Sequence, residues 1–209
     1  MKVEGRADEG LRARKKRETR ERIAAVAREL FVAQGFDAVT VVEVARAAQV
    51  SEATVFNYFP TKDELFFGGG LEQFQVATLD AVRDRPADES AIAAFRRFTI
   101  ANVVHAADPG AVDLITTAAR VVDGSPALQS REREIVAATT DSLAQLLQAE
   151  GMNHLQAWTA ANALIGVQRA IVTEVRTEGL AGRHGPRLVA RIQHESDEVL
   201  AKLETVFSL

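Results

Sequence analysis

The sequence predicts an all-α chain of about nine helices, with a three-helix DNA-reading domain at its N-terminal end and a larger helical body behind it. Three observations carry that prediction. Apolar residues recur at three- and four-residue spacing through most of the 209 residues, divided by cap, glycine and proline signals. The stretch Thr40–Lys62, TVVEVARAAQVSEATVFNYFPTK, has the layout of two short helices about a tight turn, followed by a lysine. Charge is unevenly divided: up to Lys62 there are 12 Lys and Arg against 9 Asp and Glu, and beyond it 13 against 20, so a net of −4 hides a basic head (+3) and an acidic body (−7).

Residues 1–16 carry Gly5, Gly10 and many charges without apolar periodicity, which reads as a flexible arm bearing Arg12, Arg14, Lys15, Lys16 and Arg17. Such an arm is either a solvated tail or a contact to phosphate or the minor groove. The first helix follows, over Glu18 to Gln34. Ile23, Ala27, Leu30 and Phe31 share one face, and Gly35 stands in the helix-ending position. Thr40 opens the second helix as a T-x-x-E capping box with Glu43, and Val41, Val44, Ala45 and Ala48 form its inner stripe. Ser51 caps the third, whose Val55 and Phe59 point inward. Pro60 stops it, because the residue before a proline avoids the helical region. Thr61 and Glu64 then make a second capping box, for a helix starting at Lys62.

This phasing leaves Glu52, Ala53, Phe56 and Asn57 on the outer face of the third helix. A small Ala53 lets the backbone approach a DNA groove. Thr54 and Tyr58 offer hydroxyls to phosphates, and Lys62 sits in a first helical turn beside backbone N–H groups that attract the same charge. The alternative, a helical hairpin with a merely solvated face, leaves the agreement of cap, turn, aromatic and lysine spacing unexplained.

The runs RIAAVARELFVAQGFDAVT and VVEVARAAQVSEATVFNYFPTKDELF resemble the TetR family of bacterial transcriptional regulators, across residues 17–77. The resemblance implies a helix-turn-helix domain over 17–77, with its reading motif at about 40–59. A ligand-binding and dimerisation domain would follow over 78–209. It implies that Thr40 caps the second helix and touches the DNA backbone, and that Thr54, Tyr58 and Lys62 contact phosphates. Val42, Glu52, Ala53, Phe56 and Asn57 would face the groove, with the cap Ser51 among the DNA-binding set. Two positions depart from the family: Gln49 stands in the turn where glycine is usual, and Phe56 replaces a common tyrosine, removing one hydroxyl. Glu52 reads as a helix N-terminal charge in preference to a cytosine contact.

Gly68, Gly69 and Gly70 follow Phe66 and Phe67. Three glycines inside a helix cost about 2–3 kcal/mol relative to alanine, so the helix either breaks there or is held by packing. A break would suit a hinge; close helix packing explains the glycines equally well. They are not a phosphate loop, since the lysine and Ser/Thr of that motif are absent. Beyond Asp84–Ser90, helices are expected over about 91–107, 111–122, 126–150, 154–178 and 186–207, the third of these started by Ser125-Pro126. The last two carry apolar stripes suited to a four-helix interface between two copies. On the last helix the stripe is read as Leu188, Ile192, Val199, Leu203 and Val206. A two-fold protein would set two reading helices about 34–36 Å apart on a palindromic operator.

The body is rich in Ala, Val, Leu and Ile, with Asn102, Asn162, Gln168 and Arg169 read on inner faces. Phe74, Phe95, Phe98, Asn102, Trp158, Asn162, Ile165 and Arg169 are the expected lining of a small-molecule site. The stretch ALIGVQRAIVTEVRTEG is similar to a TetR subgroup whose second domain binds acyl-CoA-like ligands. That resemblance implies that Arg169 meets a ligand phosphate or carboxylate; the plain alternative is a salt bridge.

The chain has no cysteine, which excludes disulfides and thiolate chemistry. His105, His154, His184 and His194 never pair at helical spacing, so no metal site is expected. No catalytic motif and no cofactor signature appears, and the chain is not read as an enzyme. No apolar run reaches the roughly 20 residues of a membrane span, and no signal peptide is visible, which predicts a cytoplasmic protein. The expected function is a dimeric, ligand-responsive repressor of transcription, released from its operator by a small apolar or acyl-type effector. The alternatives are a ligand-independent DNA-binding protein, or a helical small-molecule-binding protein or enzyme with a vestigial motif.

Overall fold

The computed structural model describes residues 4–67, 70–106 and 109–207; the side chains of 4–9, 104–106, 109–111, 113 and 114 are not described. The described residues form ten helices and no strand: α1 (Glu4–Gln34), α2 (Val41–Ala47), α3 (Glu52–Tyr58), α4 (Lys62–Phe67), α5 (Leu71–Arg83), α6 (Ala91–Ala106), α7 (Pro109–Asp123), α8 (Pro126–Ala149), α9 (His154–Leu180) and α10 (Pro186–Phe207). The expected all-α fold is observed, with one more helix than expected. The tenth comes from the fourth expected helix being two: α4 ends at Phe67 and α5 begins at Leu71, with a Gly70 N–H donating to Phe67 O at 3.0 Å. Gly68 and Gly69 themselves lie outside the described residues, so the hinge reading rests on nothing structural.

The chain forms two compact units. The first comprises residues 1–73 with the short segment Val121–Leu128, and the second comprises Phe74–Arg120 with Gln129–Leu209. In the first unit α1 packs against α2 and α4, and α2 against α3. Ile23, Ala27 and Phe31 of α1 are fully buried, as are Val44 of α2, Val55 of α3 and Phe59, which caps the C-terminus of α3. The Phe31 ring lies 5.0 Å from that of Phe36 and 6.2 Å from that of Phe66. Ser125, fully buried, belongs to this unit and donates a 3.0 Å hydrogen bond to Asp37 Oδ1. A linear reading of the chain leaves residues 121–128 with the C-terminal body.

Where the sequence reads as an arm, α1 extends back to Glu4. The run LRARKKRETRER consists almost wholly of good helix formers. It adds i,i+4 pairs Arg14–Glu18 (3.4 Å) and Arg17–Glu21 (3.9 Å), which favour the helix without any apolar face.

The second unit is built round α9. Ala157, Ala160, Ala161, Leu164, Ile165, Gln168, Ile171 and Val175 line its buried side, the three alanines being small enough for neighbouring helices to approach closely. Ile92 and Phe95 of α6, Leu143 and Leu147 of α8 and Leu200 of α10 pack with them. A second cluster joins Val103, Val112, Ile171, Val175 and Ile192. Arg96 of α6 clamps α10, donating from Nε and Nη2 to the Asp197 carboxylate at 2.7 and 2.9 Å and from Nη1 to Glu204 at 3.1 Å. No helix among the described residues is long and apolar enough to cross a membrane.

Candidate functional site

The α2–turn–α3 segment is set by its caps. Thr40 Oγ1 accepts from the Glu43 N–H at 3.2 Å, while Glu43 Oε2 accepts from the Thr40 N–H at 2.7 Å and from its hydroxyl at 2.8 Å. These bonds hold the Glu43 carboxyl below its ordinary pKa, the backbone N–H of Thr40 being the larger cause and its hydroxyl the next. They also occupy the Thr40 hydroxyl hydrogen, so Thr40 caps α2 as expected but presents no spare donor to a phosphate. At α3, Ser51 Oγ accepts from the Thr54 N–H at 3.1 Å and shares a 2.8 Å hydroxyl–hydroxyl bond with Thr54. One of those two hydroxyls donates to the other, which leaves a single donor hydrogen for a phosphate oxygen.

The turn between the helices closes as a Schellman motif. Val50 N–H donates to Ala45 O at 3.0 Å and Gln49 N–H to Arg46 O at 3.1 Å. The motif puts Gln49 at φ 54°, the one non-glycine residue with positive φ among the described residues. The departure noticed in the sequence is therefore resolved: the glutamine adopts the left-handed conformation that glycine would take.

The outer face of α3 matches its expected phase. Glu52, Ala53, Phe56 and Asn57 are exposed, Thr54 and Tyr58 are half-buried, and Val42 of α2 is exposed alongside. Phe56 is 46% exposed and Val42 43%, so neither serves the core of the unit. Lys62, half-buried at the start of α4, rests its ammonium 4.3 Å from the Phe36 ring centre. Burial lowers its pKa, opposed by Asp37 and Glu43. One residue escapes the sequence reading: Arg20, whose guanidinium lies 4.4 Å above the Phe59 ring. Its signal in the sequence is a basic residue one turn before Ile23 on α1, indistinguishable there from its charged neighbours.

The expected effector residues do not form one set. Phe74 and Phe98 come together, with ring centres 5.6 Å apart, and Asn102 lies one turn on from Phe98, donating to its carbonyl at 2.8 Å. Phe95 and Ile165 are buried in the core of the second unit. Trp158, Asn162 and Arg169 correct the expectation. They are exposed, on the side of α9 away from its buried stripe. Asn162 donates to Trp158 O at 2.9 Å, a local bond along the outside of the helix. The reason is helical phase: with Ala161, Leu164, Ile165 and Gln168 inward, positions 158, 162 and 169 turn outward. The expected α10 stripe divides likewise, Ile192 inward and Val199 (44%) and Val206 (73%) exposed, while Leu200, outside that stripe, is fully buried.

Between α5, α6 and α9 lies a polar cluster of which the sequence reading recognises only Gln168. Gln168, 5% exposed, donates from Nε2 to Thr99 Oγ1 at 3.1 Å and Thr78 Oγ1 at 3.4 Å. Thr78 donates onward to Phe74 O at 2.9 Å. The carbonyl oxygens of Gln168 and of Gln75, itself 7% exposed, are buried with no donor among the described residues. No group of residues that could hold a metal ion occurs among the described residues.

The family model for bacterial regulatory proteins of the tetR family matches residues 23–68, the segment from the middle of α1 through the end of α4. The HTH-type transcriptional regulator TcmR of Streptomyces glaucescens is 39% identical over 85 residues, a match covering 41% of this chain and 37% of that protein. The chain thus aligns with little more than a third of that regulator's length. Over the whole fold, a structure assigned to the TetR family from Mesorhizobium loti is similar at a TM-score of 0.59 and 18% identity, covering 91% of this chain and 97% of the other. NalD of Pseudomonas aeruginosa, described as the secondary repressor of the MexAB-OprM multidrug efflux pump, is similar at a TM-score of 0.58 and 17% identity, with 91% and 96% covered.

Proposed function

We propose that this chain, whose residues 23–68 match the model for bacterial regulatory proteins of the tetR family, is a regulator of that family and acts as a dimeric transcriptional repressor that leaves its operator when a small molecule occupies the second unit. The observation that carries the DNA-reading part is the presentation of α3. Its Glu52, Ala53, Phe56 and Asn57 face solvent, with half-buried Thr54, Tyr58 and Lys62 beside them. Phe56 supplies apolar contact suited to a thymine methyl, and Asn57 the donor–acceptor pair that matches adenine in the major groove. Thr54, Tyr58 and Lys62 fix the helix on the phosphates.

Dimerisation is supported by the outer sides of α9 and α10. Leu155 (73% exposed), Trp158 (48%) and Val172 (37%) on α9, with Val199 and Val206 on α10, leave large apolar side chains in water. Pairing these two helices with their copies buries them in a four-helix interface and repeats α3 across a two-fold axis. Trp158 becomes an interface residue in this reading, not a ligand contact. Release follows if the effector binds the non-operator conformation more tightly than the operator-bound one.

A gel-shift titration with the DNA upstream of the protein's own gene tests the reading. Wild-type protein retards it, while a Tyr58→Ala, Lys62→Ala double variant with unchanged circular dichroism does not. Retardation of that DNA by the folded double variant with undiminished affinity, or none by the wild type, defeats the proposal.

A further inference from the structure

We propose that the effector is an uncharged molecule bearing hydroxyl groups on an aromatic or otherwise apolar frame, held by the buried carbonyl oxygens of Gln75 and Gln168. This rests on the reading of the second unit as an effector-binding body. Gln75 and Thr78 lie three residues apart on one face of α5, and Thr78 meets Gln168 of α9, which also meets Thr99 of α6.

The orientation of the Gln168 amide is fixed by chemistry. The Thr78 hydroxyl spends its hydrogen on Phe74 O, so toward Gln168 it only accepts. The group facing it must be the amide NH2, and Oε1 therefore points elsewhere, with no donor among the described residues. Gln75 Oε1 is in the same condition. A buried acceptor without a donor is destabilising, and two within one cluster call for a molecule that donates.

The charge of that molecule follows from the same residues. Carbonyl oxygens repel an anion, and Gln75, Thr78, Thr99 and Gln168 offer no carboxylate to compensate a buried cation. A neutral donor, O–H foremost, meets both conditions. Beside the cluster, Phe74 and Phe98 present two half-buried rings 5.6 Å apart, a surface on which an apolar frame stacks. Arg169, which the resemblance would set against a ligand phosphate or carboxylate, is on the exposed side of α9, and the half-buried Arg176 of the same helix is paired with Glu132 at 2.8 Å.

Calorimetric titration of the full-length protein with a dihydroxynaphthalene, its dimethyl ether, the matching naphthalene dicarboxylate and a naphthylmethyl ammonium tests this. The diol is expected to bind at least about tenfold more tightly than the other three, and Gln75→Leu and Gln168→Leu are each expected to weaken it about tenfold. Should Gln168→Leu unfold, because its amide also serves two threonines, Gln75→Leu alone carries the comparison. Equal affinity for diol and ether, tighter binding of either charged probe, no diol binding at millimolar concentration, or diol affinity unchanged in the folded variants overturns the proposal. Gel shifts on the same samples separate the two readings. A protein that retards its upstream DNA yet shows no diol preference refutes the effector chemistry alone, and one that prefers the diol yet binds no DNA refutes the repressor reading alone.

Discussion

Replacing Gln49 by glycine should stabilise the reading motif. Gln49 occupies the left-handed position of a Schellman turn at φ 54°. An L-residue with a Cβ pays about 1–2 kcal/mol for that conformation, and glycine removes the penalty. Glycine brings its own cost, about 0.5–1 kcal/mol of extra chain entropy lost on folding. The balance is a gain of about 0.5–1 kcal/mol. For a chain of this size each kcal/mol moves Tm by about 2–4 °C, so the expected rise is about 1–4 °C. A series sharpens the test, because asparagine tolerates the left-handed region better than glutamine and a β-branched residue worse. Stability should therefore fall in the order Gln49→Gly, Gln49→Asn, wild type, Gln49→Val, and hydrogen exchange at the amides of positions 49 and 50 in each protein localises the effect. Thermal unfolding by circular dichroism reads the order. A glycine variant no more stable than the wild type, or a valine variant equal to it, refutes the claim that this turn stores strain.

Other expectations follow from single contacts. At Gly179, an added Cβ would lie 2.9 Å from Val112 Cγ1 and closer still to the Thr116 methyl, which is pinned because Thr116 Oγ1 donates to Val112 O at 2.9 Å. Gly179→Ala should therefore cost about 1–3 kcal/mol of overpacking, partly offset by the roughly 1 kcal/mol gain in helix propensity; thermal melts should show a net loss, reduced in a Thr116→Ala background. Thr40→Val removes the α2 cap and should cost about 1 kcal/mol. NMR titration should show the Glu43 carboxyl moving part of the way back toward its ordinary pKa as the hydroxyl is lost. The Asp197 carboxyl is held below its ordinary value chiefly by its hydrogen bonds from Arg96. Its stabilising contribution is therefore full above the unfolded pKa of about 4 and disappears as pH falls through the folded value. Asp197→Asn should be less stable at neutral pH and lose less stability on acidification, as denaturant melts at several pH values would show.

Legibility in the sequence follows the strength of local signals. Caps and breakers are readable because each acts within a few residues: Thr40 with Glu43, Ser51 at α3 and Ser125-Pro126 at α8 all begin helices where expected. The inward phase of Val55 and Phe59 follows from the same anchors and leaves the outer face of α3 correctly assigned. The helical run through residues 4–16 escapes because its support is propensity and i,i+4 charge pairs, which leave no apolar period to see. The attachment of Val121–Leu128 to the first unit is beyond sequence reach, since the buried Ser125 bonds to Asp37 across 88 residues of chain. Arg20 over Phe59 is of the same kind.

The misplacement of Trp158, Asn162 and Arg169 has a different cause, and it bears directly on what the protein binds. Around α9 alanine and glycine occur on several sides, so the apolar pattern does not choose a phase. Polar residues are then assigned inward by their usefulness to a ligand. Packing chooses otherwise: Ala157, Ala160, Ala161 and Leu164 are fully buried, and they carry Gln168 inward with them. The one polar side chain that α9 presents to its buried side is thus an amide, and the guanidinium of Arg169 is on the other. An effector recognised through Gln168 must satisfy a carbonyl oxygen, and the half-buried guanidinium that α9 does carry, Arg176, is already paired with Glu132 of α8 at 2.8 Å. That requirement moves the expected chemistry from an acyl phosphate or carboxylate to a neutral hydrogen-bond donor. It also leaves Leu155 and Trp158 on the exposed side of α9, where the proposed second copy of the chain would cover them.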